Sequence, residues 1–264
     1  MSAPGVDAPA TVAQARPVLA TRALCKRFGG IVATAGVSIA LEPGARRALI
    51  GPNGAGKTTL VNLLTGALPL SSGTIELDGI DVTRMAAFER ARRGLARTFQ
   101  INQLFADFTP EETLALAVAR RRGVAARMLR PLGAFSDVVD DTGALLRDFH
   151  LADVATRKVR HLAYGQQRLL EVAIAVAARP RVLLLDEPMA GVPAGESAEI
   201  LATLAALPGD VAVLLIEHDM DLVFRFATRI TVLVDGAVLV EGTRDAVARD
   251  PAVKAAYLGE AAHG

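Results

Sequence analysis

The apolar run Ala48-Leu49-Ile50 breaks into Gly51-Pro52-Asn53-Gly54-Ala55-Gly56-Lys57-Thr58-Thr59, and no other stretch constrains the fold as much as this junction. The spacing is G-x-x-x-x-G-K-[ST], with Gly51 and Gly56 as the fixed glycines and Thr58 closing the motif. A loop of this kind turns backbone N–H groups inward around phosphate oxygens, which requires angles that a Cβ obstructs. Lys57 supplies a point charge to the outer phosphates, and the Thr58 hydroxyl is a ligand type for Mg2+. Leu60-Val61-Asn62-Leu63-Leu64 continues as a helix whose positive end faces the same phosphates. The competing reading is a glycine-rich turn that binds nothing. A strand before, a helix after and every fixed position filled tell against it. The junction implies an α/β phosphate-loop fold that binds a nucleoside triphosphate.

Bulk properties narrow the class. A chain of 264 residues allows one or two lobes with a substantial core. Hydrophobic residues make up 52% of it, yet no uninterrupted apolar run approaches the ~18 residues of a spanning helix. Val182–Leu185 and Val211–Ile216 are short and read as buried parallel strands. A formal charge of +1 gives no electrostatic case for a nucleic-acid partner. The single cysteine, Cys25, excludes an internal disulfide and fits a reducing compartment. Residues 1–17 are rich in Ala and Pro without a basic segment followed by an apolar one, so a disordered tail is expected there.

Strand-like segments then alternate with helical ones. Val18–Leu24, Val37–Leu41, Arg46–Ile50 and Thr74–Asp78 read as strands, with Glu42-Pro43-Gly44 as a turn. A helical, arginine-rich middle follows, and strand-helix order resumes with Val182–Asp186, Val211–Glu217 and Ile230–Val234. Arg120-Arg121-Arg122 reads as a solvated helical face in preference to a binding patch. Val182-Leu183-Leu184-Leu185 ends in Asp186-Glu187. Such a strand places Asp186 where it orients a hydrated Mg2+, and Glu187 beside the γ-phosphate as general base for an attacking water. Alone, an acid pair is more simply a turn; the upstream phosphate loop makes the difference.

Between these motifs lies Leu162-Ala163-Tyr164-Gly165-Gln166, followed by the apolar-periodic helix Leu169–Ala178. Here the chain resembles the ATP-binding subunits of ABC transporters, whose LSGGQ signature corresponds to Leu162–Gln166. Phosphate loop, signature, Asp-Glu pair and a following histidine occur in the family's order over nearly the whole chain, from about Val18 onward. The resemblance implies an ABC ATPase core with an antiparallel β portion and an inserted helical signature subdomain at about 101–180. It implies that Phe28 stacks on adenine, with a plain core phenylalanine as the alternative. It further implies that Gln100 reaches Mg2+ and the attacking water, and that His218 contacts the γ-phosphate. His150 and His161 carry no such signal. Residues Ala163, Tyr164, Gly165 and Gln166 would face the ATP of a partner subunit.

Several positions depart from the family pattern. Ala163 lacks the signature serine's hydroxyl, Tyr164 replaces its first glycine, and Val192-Pro193 stands where Leu-Asp is common. Together with Arg97-Thr98-Phe99-Gln100, Ala190-Gly191-Val192, Ile216–Met220 and the terminal Ala256–Glu260, they resemble the ATPase subunits of bacterial branched-chain amino acid importers. That group also serves relatives carrying urea, amides or aromatic acids. The implied assembly has a second ATP-binding subunit, often non-identical, two membrane permeases and an external solute-binding protein. It sits on the cytoplasmic face of the inner membrane. Leu104, Phe105 and Phe108 are either ordinary core or part of a groove for a permease helix. A soluble ABC ATPase acting on DNA would normally carry long coiled-coil insertions, which are absent, and translation-factor relatives carry two cassettes against one here.

Overall fold

The computed structural model describes residues 16–98, 104–125 and 131–258. Residues 1–15 of the expected tail lie outside the described residues, as do Gln100 and its neighbours Phe99 and Ile101–Gln103. In chain order the elements are β1 (Leu19–Phe28), β2 (Ile31–Val37), β3 (Ala40–Leu41), β4 (Arg46–Ile50), α1 (Lys57–Thr65), β5 (Ser72–Leu77) and β6 (Ile80–Asp81). Next come α2 (Ala87–Arg92), β7 (Leu95–Arg97), α3 (Pro110–Arg121), α4 (Ser136–Asp148) and α5 (Tyr164–Ala177). The chain continues through β8 (Val182–Asp186), α6 (Ala194–Ala205), β9 (Ala212–Ile216), α7 (Met220–Phe226), β10 (Arg229–Val234), β11 (Ala237–Thr243), α8 (Arg244–Arg249) and α9 (Pro251–Leu258).

One sheet has the order β11-β10-β4-β9-β8-β7, parallel throughout except for the edge pair β10–β11. A second, antiparallel sheet runs β2-β1-β5-β6, with β3 also on β1. The central strands β8 and β9 are buried along their whole length, as strands covered on both faces must be. Their alternation feeds two cores. Leu183, Leu185, Val213 and Leu215 join a cluster with Leu114, Leu151, Leu170 and Ile200 on the helical side. Val182, Leu184, Leu214 and Ile216 join Leu19, Leu41, Ile75 and Leu60 on the side of the antiparallel sheet and α1. The parallel sheet is thus the middle layer of the molecule.

The helical insertion has its own local logic. Thr109 caps α3 by accepting from Glu112 N–H at 3.2 Å while its own N–H donates to the Glu112 carboxylate at 2.8 Å, and Pro110 occupies the first helical position. Arg121 of α3 and Arg122 at its C-cap both bond Asp141 of α4, and Arg121 also donates to Ala177 O of α5 at 2.9 Å. Burial opposes ionisation of Asp141, but the Arg122 hydrogen bond and the arginine charges hold its carboxyl below the usual range. The arginine cluster therefore ties three helices together, where the sequence suggests a solvated face.

Most expected strands match, and the exceptions have a cause. The expected strand 37–41 is divided: β2 ends at Val37 and β3 covers Ala40–Leu41. In β2 only Thr34 and Val37 turn inward, so this edge strand lacks the period-2 apolar pattern and is missed. The three-residue β7 and the edge strand β11, which has no buried position, escape for the same reason.

Candidate functional site

The sheet's connectivity brings the sequence motifs to one place. β4 pairs with β9 and β9 with β8, so the loops after Ile50, Ile216 and Asp186 leave the same carboxyl edge of adjacent parallel strands. Crevices at such edges are where open α/β sheets bind ligands.

The loop Gly51–Gly56 leaves β4 with Gly51, Gly54 and Gly56 at φ of 153°, 78° and 95°. A Cβ on Gly56 would strike the carbonyl of Ala33 in β2, and one on Gly51 the carbonyl of Leu233 in β10. Glycine is needed at both positions for conformation and for space. Neighbouring backbone fixes the loop further: Gly236 N–H donates to Ala55 O at 3.1 Å, and Ala35 N–H donates to Gly236 O at 2.8 Å. The Lys57 ammonium donates to Gly51 O at 2.6 Å and Pro52 O at 2.9 Å, which places its charge over the loop. No side chain caps the first turn of α1, where Lys57, Thr58 and Thr59 present backbone N–H groups at the positive end of the helix. At the other end of α1, buried Arg90 donates to Leu63 O and Leu64 O, both at 2.7 Å.

Phe28 ends β1 and is 46% exposed, with Lys26 Nζ 4.9 Å from its ring centroid. It is not a core side chain. The β1–β2 hairpin that carries it lies against the phosphate loop through Ala33.

Asp186 is 3% exposed at the end of β8. Its Oδ2 accepts from Arg97 Nη2 at 2.7 Å, and Arg97 Nη1 donates to Asn62 Oδ1 of α1 at 2.6 Å. Glu187 follows in the left-handed region at φ 48°, an uncommon setting for a non-glycine residue, held by its N–H to Ile216 O at 3.0 Å. His218 Nδ1 stands 3.9 Å from Glu187 Oε1 and 3.9 Å from Glu217 Oε2. Asp219 caps α7 by accepting from Asp221 N–H at 2.9 Å and Leu222 N–H at 3.3 Å, which fixes the loop carrying His218. Buried Glu217 accepts from Met189 N–H at 3.1 Å and His218 N–H at 3.3 Å. Burial raises its carboxyl above the usual range against those hydrogen bonds, and the charge of Glu187 adds to the rise. Thr58 and Asp186 are hard oxygen donors of the type Mg2+ takes, so the donor chemistry fits that ion.

The signature segment packs against the loop that follows Glu187 and against α6. Ala163 N–H donates to Gln166 Oε1 at 3.1 Å at the start of α5, and Gly165 N–H donates to Glu196 Oε2 at 2.9 Å. A Cβ on Gly165 would run into that carboxylate. The Tyr164 hydroxyl donates to Ala190 O at 3.1 Å and accepts from Arg168 Nη2 at 2.6 Å, and Arg168 in turn pairs with Glu171 at 2.7 Å. Beyond Glu171 lies a cavity of about 410 Å³, bordered also by Leu104, Phe105, Leu116, Arg120 and Ile174. Leu104 packs against the core, whereas Phe105 is 63% exposed and meets the Phe108 ring at a 35° tilt with centroids 5.1 Å apart.

Sequence reasoning finds the loop, Asp186, Glu187 and His218 and the structure brings them to one edge. It misses Arg97, Glu217 and Glu196. A charge terminating an apolar strand, as at Arg97 and Glu217, was the available signal; Glu196 offered none.

Known proteins resemble this chain over most of its length. Residues 34–190 match the family model described as ABC transporter, and residues 237–263 match that of the branched-chain amino acid ATP-binding cassette transporter. The chain is 41% identical over 255 residues to the high-affinity branched-chain amino acid transport ATP-binding protein BraF of Pseudomonas aeruginosa, covering 93% of this chain and 99% of that one. Against LivG of Escherichia coli, which carries the same description, identity is 38% over 253 residues, with 93% and 99% coverage. Among solved structures, the ADP conformation of MJ1267, an ATP-binding cassette of an ABC transporter, superposes with a TM-score of 0.81 at 29% identity, covering 92% of this chain and 99% of that one.

Proposed function

The chain belongs to the ABC transporter family of ATP-binding, ATP-hydrolysing cassettes, and from that premise we propose that it powers an importer of branched-chain amino acids. The convergence of the phosphate loop, Asp186-Glu187 and His218 on adjoining strand ends carries the ATPase reading. The names of the relatives carry the substrate reading.

In this reading the loop N–H groups of Gly51–Gly56, the Lys57 ammonium and the first turn of α1 hold the phosphates of ATP, while Phe28 stacks on its base. Thr58, Gln100 and Asp186 would hold Mg2+ beside the phosphates, and the ion would supply positive charge against the charge that develops on the transferred phosphoryl group. Glu187 accepts a proton from the water that attacks the γ-phosphorus, the bond to the β,γ-bridging oxygen breaks, and ADP and phosphate result. His218, beside Glu187, contacts the γ-phosphate. Residues Ala163–Gln166 cover the ATP of a second nucleotide-binding subunit. ATP shifts the pair toward closure because these contacts form preferentially in the closed state. The exposed Phe105 and Phe108, with the cavity beside them, suit the cytoplasmic helix of a permease. No helix among the described residues is long and apolar enough to cross a membrane. In this reading the permeases hold the chain at the membrane.

Reconstitution tests the proposal. The chain, its partner ATPase, two permeases and the solute-binding protein are assembled in ATP-loaded vesicles and supplied with labelled solutes. Uptake of leucine, isoleucine or valine that ceases with Lys57→Ala is expected. Vesicles that take up urea, amides or aromatic acids but none of these three would reassign the substrate.

A further inference from the structure

We propose that Arg97 is a positioning residue of the hydrolytic site, a guanidinium clamp that sets the Asp186 carboxylate relative to the phosphate-loop helix. The inference rests on the reading of Asp186 as the carboxylate that serves Mg2+.

Arg97 ends β7, which pairs in parallel with β8, with Arg97 opposite Leu184. From there its two terminal nitrogens reach in different directions, one to Asn62 Oδ1 at 2.6 Å and one to Asp186 Oδ2 at 2.7 Å. Asn62 lies in α1, the helix whose N-terminus closes the phosphate loop. One side chain therefore joins two parts of the site that come from separate motifs. The Asp186 side chain is 1% exposed and that of Arg97 17%, so water competes weakly for either. An ionised carboxylate at that depth needs a compensating charge, and Arg97 supplies it. The fork is used as a fork: a lysine retains the charge but cannot span both acceptors with fixed geometry. Hydrogen bonds to the outer side of a metal-holding carboxylate fix its orientation, and their loss typically lowers metal affinity or activity by about 10–100-fold. Arg97 also borders the cavity beside Phe105, so the clamp adjoins that surface.

The test compares the wild-type chain with Arg97→Lys, Arg97→Gln and Asn62→Ala. ATP affinity is measured by nucleotide titration in EDTA and again across a Mg2+ series, and hydrolysis is followed in the assembled transporter over the same series. The expected result for Arg97→Lys is unchanged ATP affinity in EDTA with a rise of about 10-fold in the Mg2+ concentration that half-saturates hydrolysis. At saturating Mg2+ the maximal rate recovers most of its wild-type value. Arg97→Gln shifts the Mg2+ requirement further, and Asn62→Ala shifts it less, because one anchor of the clamp remains. Mn2+ in place of Mg2+, observed by electron paramagnetic resonance on the ATP-bound chain, reports the weaker ion binding without turnover. A wild-type Mg2+ requirement in both arginine variants overturns the proposal. So does a lowered requirement, which would make Arg97 a competing counter-ion, and so does an equal loss of affinity in EDTA, which would signify general damage. A wild-type chain whose ATP binding and hydrolysis ignore Mg2+ would instead remove the reading on which the proposal rests. Should Arg97→Gln fail to fold, Arg97→Lys and Asn62→Ala decide it.

Discussion

Glu187 occupies a left-handed backbone position beside His218, and its side chain is 35% exposed at the strand edge. Its carboxylate is the proposed base, so Glu187→Gln keeps ATP binding and slows turnover by about 10²–10⁴-fold. Steady-state hydrolysis and nucleotide retention in the assembled transporter check this; near-normal turnover would remove Glu187 from the role. Lys57 and His218 separate binding from chemistry. Lys57→Ala weakens ATP affinity because a charge on the outer phosphates is lost, whereas His218→Ala lowers hydrolysis and leaves most of the affinity. Equal affinity losses in a nucleotide titration would contradict the division. Glu217 makes a prediction about pH. Burial raises its carboxyl, so the folded state binds this proton more tightly than the unfolded chain does. The cost of ionising it is absent below the ordinary carboxylate range and complete above the raised value. Relative to wild type, Glu217→Gln therefore gains melting temperature as pH rises through that window and gains nothing in acid. A constant difference across pH would show that Glu217 stays comfortably ionised.

Two helix N-termini dominate the element scale, and they are treated differently. That of α1 has no side-chain cap, while in the first turn of α5 the Gly165 N–H already bonds the carboxylate of Glu196. If Gly165 engages the partner's ATP, Glu196 competes for the same donor and repels the approaching phosphate. Charged hydrogen bonds contribute about 1.5–3 kcal/mol and neutral ones about 0.5–1.5. Glu196→Gln thus strengthens ATP-dependent pairing by about 1 kcal/mol, roughly fivefold in affinity. Light scattering on the chain with its partner ATPase, both in slow-hydrolysing form, measures it. Weaker pairing in the variant would show that Glu196 holds α5 in place and does not compete.

At the scale of the whole molecule, the proposed function has each ATP held between the phosphate loop of one subunit and the signature segment of the other. Ala163 offers no hydroxyl to a facing phosphate, and Pro193 no carboxylate to the opposite site. We expect weak self-association, with fuller activity opposite a different ATPase subunit carrying the usual signature. Hydrolysis per molecule is then low for the isolated chain at any accessible concentration, and rises several-fold on adding the partner and permeases. A fast homodimer that gains nothing from the partner would overturn this asymmetry while leaving ATP binding untouched.

Local chemistry made much of this protein legible from its sequence. The glycines of 51–56 state a backbone requirement, and the apolar runs before Gly51, Asp186 and Glu217 state full burial, so β4, β8 and β9 and the acids that follow them are written in consecutive residues. The edge strands β2 and β11 were not legible, because β2 buries only Thr34 and Val37 and β11 buries no residue, so neither shows the period-2 apolar alternation of a half-buried strand. Folding alone decided which distant residues share a site. Arg97 meets Asp186 across 89 positions and Asn62 across 35, and Gly165 meets Glu196 across 31. A hydrogen bond of that reach depends on strand order and helix placement, neither of which any local run of residues encodes. For the same reason the sequence identifies the groups that hold ATP, while the tertiary structure reveals which side chains hold those groups in place.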